Sequence, residues 1–322
     1  MVTTRLYSHG SLELEDFPVA DISDHVATPG STIWADFVSP TESDLAHIAE
    51  ELGLHPLAVE DAVHEHQRSK IDRYDSHLFL AAYSVRFDAD TGMVSKTEVK
   101  AFITRHAIVT VHDESFDMDD VVRRWDNDGG LSKFGTAFLL WGLLDSVVDG
   151  HFRAVQELDN EIDRLEDELF DETSKSIDVQ RRSFALRKSL VLLRRAILPM
   201  REVVNTLMRR DGESLDPAML PYFQDVYDHV LRASEWTDSL RDLVSTILDT
   251  NVSIQGNRMN LIMKKVTSWA AIIAVPTAIT GFFGQNLLFP GFGTAWGTAL
   301  SVGLIAVTSV ALYFSFKRND WL

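Results

Sequence analysis

One stretch near the end of the chain constrains the fold most: residues 266–316 contain no Asp, Glu, Lys, Arg or His, although 24% of the whole chain is charged. A loop rich in Gly, with Pro, Gln and Asn, divides it into two apolar segments, residues 266–283 and 296–316. Each segment is near the roughly 20 residues that an α-helix needs to cross the hydrocarbon core of a bilayer. The sequence therefore predicts two membrane-spanning helices joined by the loop 284–295.

Basic residues flank both predicted spans. Lys264 and Lys265 precede the first span, Lys317 and Arg318 follow the second, and the loop 284–295 has no charge. Positively charged residues favour the cytoplasmic side of a membrane. We therefore expect a multi-pass protein of the plasma (inner) membrane, with both termini and the basic tail 317–322 in the cytoplasm and the loop outside it.

The rest of the chain is strongly acidic. Of the charged residues, only Lys317, Arg318 and Asp320 follow position 265, so the first 265 residues hold 28 Lys and Arg against 47 Asp and Glu, a net charge of −19. Such a domain attracts cations and repels nucleic acid, which we do not expect as a partner. The chain has no cysteine, which excludes disulfides and thiolate metal sites.

The sequence also lacks the motifs of nucleotide and acyl chemistry. It has no glycine-rich phosphate loop and no nucleophile elbow. These absences argue against an enzyme, an organic cofactor and nucleotide-driven pumping. If the chain moved a divalent ion across the membrane, the energy would have to come from the electrochemical gradient, which supplies about 4.6 kcal/mol per 100 mV for such an ion.

Residues 1–128 have the pattern of a mixed α and β domain. Thr41 and Asp44 form a predicted capping box for a helix that ends at Gly53. The segment 90–92 predicts a hairpin turn. Four runs have strand character: residues 32–38, 78–87, 99–103 and 107–112.

Long helices follow. Apolar residues repeat every 3.5 positions in two stretches within residues 129–215, which predicts an antiparallel helical pair. A third helix is expected to form a cytoplasmic stalk over residues 216–265 and to continue into the first span, 266–283. Its apolar stripe weakens at Ala233, Thr237 and Asn251. Periodicity alone leaves two readings open: packing on the two preceding helices, or a wider ring of helices around a wet axis.

The first span carries uncharged polar groups, among them Thr267, Thr277 and Thr280. Two spans cannot enclose a pore, so transport would need several copies around an axis. Stripping water from a small divalent ion needs anionic ligands, and Mg²⁺ gives up its water reluctantly. A pore lined by amides and hydroxyls would therefore pass an ion with most of its water attached.

Three features resemble a known family: the sequence Gly284-Gln285-Asn286 after the first span, residues 221–229 at the start of the stalk, and the Trp321-Leu322 end. The chain resembles the CorA-type divalent-cation (magnesium/cobalt) transporter superfamily, with a Gly-Gln-Asn variant of the Gly-Met-Asn signature. The resemblance implies an α+β cytoplasmic domain of αβα sandwich type, long stalk helices, two C-terminal transmembrane helices and a CorA-like homopentamer.

The resemblance also implies roles for particular residues. The selectivity loop would be Gly284, Gln285 and Asn286. Regulatory Mg²⁺ would bind between neighbouring subunits at Asp225 and Asp88, so that Mg²⁺ would be both the transported and the regulatory ion. The pore-lining positions would be Asn260, Val266, Thr277 and Gly281, with Val266 at a hydrophobic constriction.

Gln285 departs from the family pattern, because Met is expected there, and it leaves the transported ion open. The leading hypothesis is a pentameric channel for divalent cations, Mg²⁺ first and Co²⁺ or Ni²⁺ next, closed by cytoplasmic Mg²⁺. One alternative is a ZntB-like Zn²⁺ transporter with proton coupling. An alternative of another class is a non-conducting membrane-anchored sensor or scaffold.

Overall fold

The computed structural model describes residues 2–64, 68–171, 176–210, 216–285, 288 and 290–322. The chain divides into two compact units, Met1–Ile247 and Leu248–Leu322. The first unit holds a β-sheet with its helices, and the second holds the two long apolar helical segments.

A seven-stranded sheet organises the first unit, in the order β2-β1-β3-β7-β6-β5-β4. All neighbouring strands are antiparallel except β3 and β7, which run parallel. The strands are β1 Val2–Ser8, β2 Ser11–Glu15, β3 Ser31–Val38, β4 Lys70–Arg73, β5 Leu78–Asp88, β6 Met93–Ile103 and β7 Ala107–His112.

The four predicted strands are all present, with one substantial correction. The strand expected at residues 99–103 begins at Met93, because the polar residues before Val99 continue the antiparallel pairing with β5. Gly92, at a φ of 67°, closes the tight connection between these strands. The sequence patterns missed β1, β2 and β4, of which β2 is exposed along its whole length and β4 has four residues.

Helices cover both faces of the sheet, which confirms the αβα sandwich. On one face, Ile22, Leu45, Ile48 and Ala58 pack in one buried cluster with sheet residues such as Phe102. This layer consists of α1 Ile22–Val26, α2 Glu42–Leu52 and α3 Pro56–Val63. The layer on the other face consists of α4 Met118–Asn127, α5 Thr136–Phe170 and α6 Ser176–Arg210.

Contacts from the sheet to that second layer are specific. The ring of Trp34 in β3 meets Trp125 of α4 edge-on, with ring centroids 5.0 Å apart. The buried His151 Nε2 of α5 donates to the Tyr83 carbonyl of β5 at 2.7 Å. Ser189 of α6 accepts a hydrogen bond from the Val94 backbone N–H of β6 at 3.1 Å. The long helices are thus fixed to the sheet by polar as well as apolar contacts.

The predicted capping box is confirmed. The Thr41 hydroxyl accepts from the Asp44 backbone N–H, and the Asp44 carboxylate accepts from the Thr41 N–H at 2.8 Å. Gly53 ends α2 in the left-handed region at a φ of 62°. The sequence therefore specifies both ends of this helix.

A single helix, α7, spans Leu220–Phe283. Within the first unit its apolar stripe is buried by the chain's own preceding helices. Trp236 packs edge-on against Phe152 of α5, and Asp238 pairs with Arg194 of α6 at 2.8 Å. Thr237 fits the buried stripe because its hydroxyl donates to the Ala233 carbonyl at 2.7 Å. This stripe needs no ring of neighbouring copies, so the wet-axis alternative is wrong for it.

The second unit differs from the first because its apolar side chains are exposed. It contains the end of α7 and a further helix, α8 Ala295–Arg318, both long and apolar enough to span a membrane. Among the residues of α8, all of which the structure describes, Gly297 alone is buried. The apolar side chains of these helices are exposed, as those of a membrane hairpin would be before lipid and neighbouring copies cover them.

Candidate permeation segment and cation-binding residues

Two threonine side chains of the first span bond to their own helix. The Thr277 hydroxyl donates to the Ile273 carbonyl at 2.8 Å, and the Thr280 hydroxyl donates to the Thr277 carbonyl at 2.9 Å. Both threonines keep their oxygen lone pairs available, because each hydroxyl has used only its hydrogen. This arrangement presents hydrogen-bond acceptors on the part of α7 that carries no charge, residues 266–283.

The other residues named for the pore are exposed in a single chain. Asn260 lines a cavity of about 570 Å³ together with Asn257, Thr267 and Trp321. Val266 is 59% exposed. A methyl group added to Gly281 would meet nothing within 4 Å, so packing inside one chain does not require glycine there.

The helix ends at the motif Gly284-Gln285-Asn286. The Gly284 N–H donates to the Thr280 carbonyl at 2.8 Å, and a β-carbon on Gly284 would lie 3.0 Å from that same oxygen. Glycine at this position therefore avoids a close contact between a side chain and the Thr280 carbonyl. The exposed Gln285 donates its backbone N–H to the Phe282 carbonyl at 3.3 Å. Asn286 lies outside the described residues.

The return to the second span is held by close packing of the backbone. Gly291 has a φ of +95°, and Gly297 packs directly against the Gly291 carbonyl, leaving no room for a β-carbon. The Thr294 hydroxyl donates to that carbonyl at 2.7 Å. These contacts give α8 a defined start although the loop carries no ion pair or charge.

Asp88 lies at the end of β5, in the hairpin that leads to β6. It accepts hydrogen bonds from the Thr91 hydroxyl at 2.8 Å and from the Asp90 backbone N–H at 3.0 Å. These bonds, the Thr91 hydroxyl first, lower the pKa of Asp88, so the exposed carboxylate stays ionised near neutrality. Asp225 is also exposed, in the second turn of α7.

The structure shows an acidic cluster that the sequence patterns did not reveal. Side-chain ligand atoms of Asp145, Asp149 and His229 lie within 4.8 Å of one another, the first two on α5 and the third on α7. The separation of the two helices in sequence hid the cluster. Two aspartates four residues apart inside an apolar helical run were the signal that could have drawn attention to it.

A guanidinium group already supplies the positive charge of this cluster. Arg124 of α4 donates from Nη1 to Asp145 and from Nη2 to Asp149, the latter at 2.7 Å. His229 Nδ1 lies 3.9 Å from the other oxygen of Asp149. The cluster therefore links α4, α5 and α7 through an arginine, and a metal ion would have to displace that arginine to bind there.

Comparisons with known proteins agree on one family. The family described as CorA-like Mg²⁺ transporter protein matches residues 29–318. The cobalt/magnesium transport protein CorA of Thermotoga maritima is 29% identical over 317 residues, covering 96% of this chain and 90% of the relative. A zinc transport protein, ZntB of Yersinia enterocolitica, is 24% identical over 302 residues, covering 93% and 90% of the two chains.

The same fold occurs in a solved structure. The complete CorA magnesium transporter of Methanocaldococcus jannaschii superposes with a TM-score of 0.81 at 20% identity, covering 100% of this chain and 99% of the other. The sandwich, the long α7 and the two apolar C-terminal helices thus occur together in a protein of known architecture. With the family match spanning most of its length, the chain belongs to the CorA-like Mg²⁺ transporter family.

Proposed function

We propose that copies of this chain assemble, as a homopentamer, around a pore lined by α7 and conduct hydrated divalent cations into the cytoplasm. Mg²⁺ is the first candidate, and Co²⁺ and Ni²⁺ are the next. One chain leaves both spanning helices uncovered, and two helices cannot enclose a pore. The name of the Thermotoga maritima relative supports magnesium and cobalt as cargo.

The chemistry of the first span carries this proposal. Waters around a cation turn their hydrogens outward, so a pore that passes the hydrated ion must offer acceptors. Thr277 and Thr280 have donated their hydroxyl hydrogens to the helix and keep lone pairs for such waters. Asn260 and Gln285 add amide oxygens on exposed side chains. Because Mg²⁺ sheds water reluctantly, a lining without carboxylates suits it.

The remaining positions have complementary roles in the proposed pore. Rings of Val266 from neighbouring copies would form an apolar constriction that closes by excluding water. Gly284 would allow the tight turn at the outer mouth, where Asn286 would contact the waters of the entering ion. Gly281 would leave space beside the axis. Uptake follows from the inside-negative potential acting on a divalent charge.

Regulation would use the acidic surface of the first unit. In the proposed assembly, Asp225 of one copy and Asp88 of its neighbour share a Mg²⁺ ion when cytoplasmic Mg²⁺ is high. The ionised state of Asp88 favours this arrangement. When Mg²⁺ falls and the ions leave, carboxylates on facing surfaces repel one another and the ring loosens. The basic residues around both spans support a cytoplasmic location for both termini in this proposal.

A second candidate is Zn²⁺ transport of the ZntB type with proton coupling. The likeness to ZntB of Yersinia enterocolitica and the presence of Gln285 where Met is expected favour it. Against it, Zn²⁺ prefers nitrogen and sulfur ligands, and residues 266–316 contain no His, no Cys and no group that titrates near neutrality. A non-conducting sensor or scaffold is the candidate of another class, suggested by Gln285 and the uncharged outer loop.

Reconstitution tests the proposal. The purified protein is placed in liposomes that contain a Mg²⁺-sensitive dye, and an inside-negative potential is applied. Mg²⁺ uptake is expected for the native protein and for Gln285→Met, and it should be lost in Asn286→Ala while the oligomer persists. No Mg²⁺ entry with the native protein would overturn the Mg²⁺ assignment. Repeating with Zn²⁺, across an imposed pH gradient, then separates a zinc transporter from a scaffold.

A further inference from the structure

The last residues of the chain fold back on the helix that precedes them. Helix α8 ends at Arg318, and the Asn319 side chain donates to the Ser315 carbonyl at 2.8 Å. Asp320 adopts a left-handed conformation at a φ of 55°, which reverses the chain. The Trp321 N–H then donates to the Phe316 carbonyl at 3.0 Å.

An aromatic pair fixes this reversed tail. The rings of Phe316 and Trp321 are nearly parallel, at 17°, with centroids 5.7 Å apart. Such a pair stabilises its arrangement beyond the area that it buries. The tail therefore has a defined position on the end of α8.

The tail also covers one residue of α7. Ser268 is fully buried, whereas Val266 and Trp269 beside it are more than half exposed. Its hydroxyl donates to the Lys264 carbonyl at 2.7 Å and lies 3.4 Å from the Trp321 carbonyl. The small Ser268 side chain thus lets the main chain of the tail approach α7, and its hydroxyl faces a carbonyl from each segment.

Trp321 reaches the same surface of α7 that carries a proposed pore residue. It lines the cavity of about 570 Å³ together with Asn260, Thr267 and Lys264. Asn260 and Thr267 are seven residues apart and lie close to one face of the helix. A movement of Trp321 would therefore alter the packing beside Asn260 directly.

We propose that residues 319–322 form a latch that ties the cytoplasmic end of the first span to α8, so that the two helices move as one body. Trp321 is a positioning residue in this account, since it acts on the pore through Asn260 and Thr267 and does not itself contact the ion. The predicted effect of the latch on ion flow rests on the proposed function. The contact between the tail and α7 does not depend on that function.

Crosslinking tests the contact without any measure of transport. Because the native chain contains no cysteine, the double variant Ser268→Cys/Leu322→Cys carries the only thiols and keeps the Trp321 ring. Leu322 directly follows the Trp321 carbonyl, which lies 3.4 Å from the Ser268 hydroxyl. Oxidation is expected to join residues 268 and 322 within one chain, both with Mg²⁺ and with a chelator present. The control pair Ser268→Cys/Ser301→Cys should stay reduced, because Ser301 lies near the opposite end of α8. If the first pair does not crosslink in one or both of these conditions, the proposal that the tail stays bound to α7 is wrong.

Flux through the full-length protein tests its consequence. Trp321→Ala should shift the cytoplasmic Mg²⁺ concentration that half-closes the channel by about three- to tenfold, the range expected when one aromatic pair is lost. Oligomer size and thermal unfolding should stay as in the native protein. Trp321→Phe, which keeps an aromatic ring, should close at the native Mg²⁺ concentration. Phe314→Ala, which removes an exposed ring from α8, should also leave that concentration unchanged.

The outcomes separate the latch from the channel. If the native protein conducts and Trp321→Ala closes at the native Mg²⁺ concentration, the latch has no part in gating. If the oxidised crosslinked channel stops conducting while its reduced form conducts, the tail must detach during opening and the one-body account is wrong. If the native protein conducts no cation at all, the proposed function fails while the crosslinking result still stands.

Discussion

The two units of this protein differ in whether a single chain buries their apolar side chains. In Met1–Ile247 the chain buries its own apolar residues, and it neutralises buried charges with its own partners, such as His112 with Asp36 at 3.1 Å. In Leu248–Leu322 the apolar side chains remain exposed and residues 266–316 hold no charge to neutralise. The chain alone therefore covers most apolar side chains of the first unit, whereas those of the second are left for lipid and, in the proposed assembly, for further copies to cover. We expect the residues that carry transport to lie in the second unit, where the single chain leaves apolar side chains exposed.

Removing a large aromatic side chain should distinguish the two units most strongly. Phe102 is fully buried between the sheet and its helices, and Phe314 on α8 is 63% exposed. Phe102→Ala is expected to lower the free energy of unfolding by about 3–5 kcal/mol, because it leaves a cavity. Phe314→Ala should leave it nearly unchanged. Chemical unfolding of both variants in detergent, followed by tryptophan fluorescence, measures the difference, and equal losses would contradict the comparison.

A charge placed on an exposed apolar residue should have the larger effect in the second unit and little effect in the first. Val307 on α8 is 69% exposed and Leu57 on α3 is 59% exposed. Val307→Asp should cost about 2.5–3.5 kcal/mol if the residue lies within the hydrocarbon core, whereas Leu57→Asp faces water and should cost little. Membrane fractionation should show a large loss of inserted protein for Val307→Asp alone. Normal insertion of that variant would argue that α8 does not span the bilayer.

Acid should destabilise the first unit through His151. Complete burial lowers the pKa of His151 to about 4, from an ordinary value of 6.5. The folded state keeps the ring neutral while the unfolded chain takes up a proton, so stability is present above pH 6.5 and is lost as the pH falls towards 4. The loss is on the order of 3 kcal/mol at the acid end. Unfolding curves from pH 7 to pH 4 for the native protein and His151→Gln measure it, and equal slopes would remove His151 as the cause.

The smallest effect is expected at a helix cap of the first unit. Thr41 accepts the Asp44 N–H and starts α2, and the site is exposed. Thr41→Ala should lower the free energy of unfolding by about 1 kcal/mol, and Thr41→Ser should retain most of it. Thermal unfolding of the three proteins checks the prediction. Equal losses in both variants would show that the threonine methyl group, and not the hydroxyl, matters there.

Local patterns predicted local structure well. The capping box at Thr41, the hairpin turn at Gly92 and the two uncharged spans each depend on a few neighbouring residues, and all are present. Membership of the CorA-like family confirms a membrane transporter rather than an enzyme. The strand β2 escaped detection although Leu12 and Leu14 alternate with polar residues, because the run has only five residues and all five are exposed.

The site was predictable only in part, because its parts come together over long distances or between copies. The link from Arg124 to Asp145, Asp149 and His229 joins three helices far apart in sequence, and no spacing rule predicts it. The roles of Asn260 and Val266 depend on neighbouring copies, which the sequence of one chain does not position. These roles remain predictions.

Competition by an inert complex tests the central claim most directly. Cobalt(III) hexaammine carries six ammonia ligands that it does not exchange, and it presents outward-facing hydrogens much as hydrated Mg²⁺ does. If the pore recognises the ion through its water shell, this complex should compete with Mg²⁺ and inhibit its uptake into liposomes in a manner that excess Mg²⁺ reverses. Unchanged Mg²⁺ uptake in its presence would show that the ion sheds its waters before it is recognised, and would contradict the account.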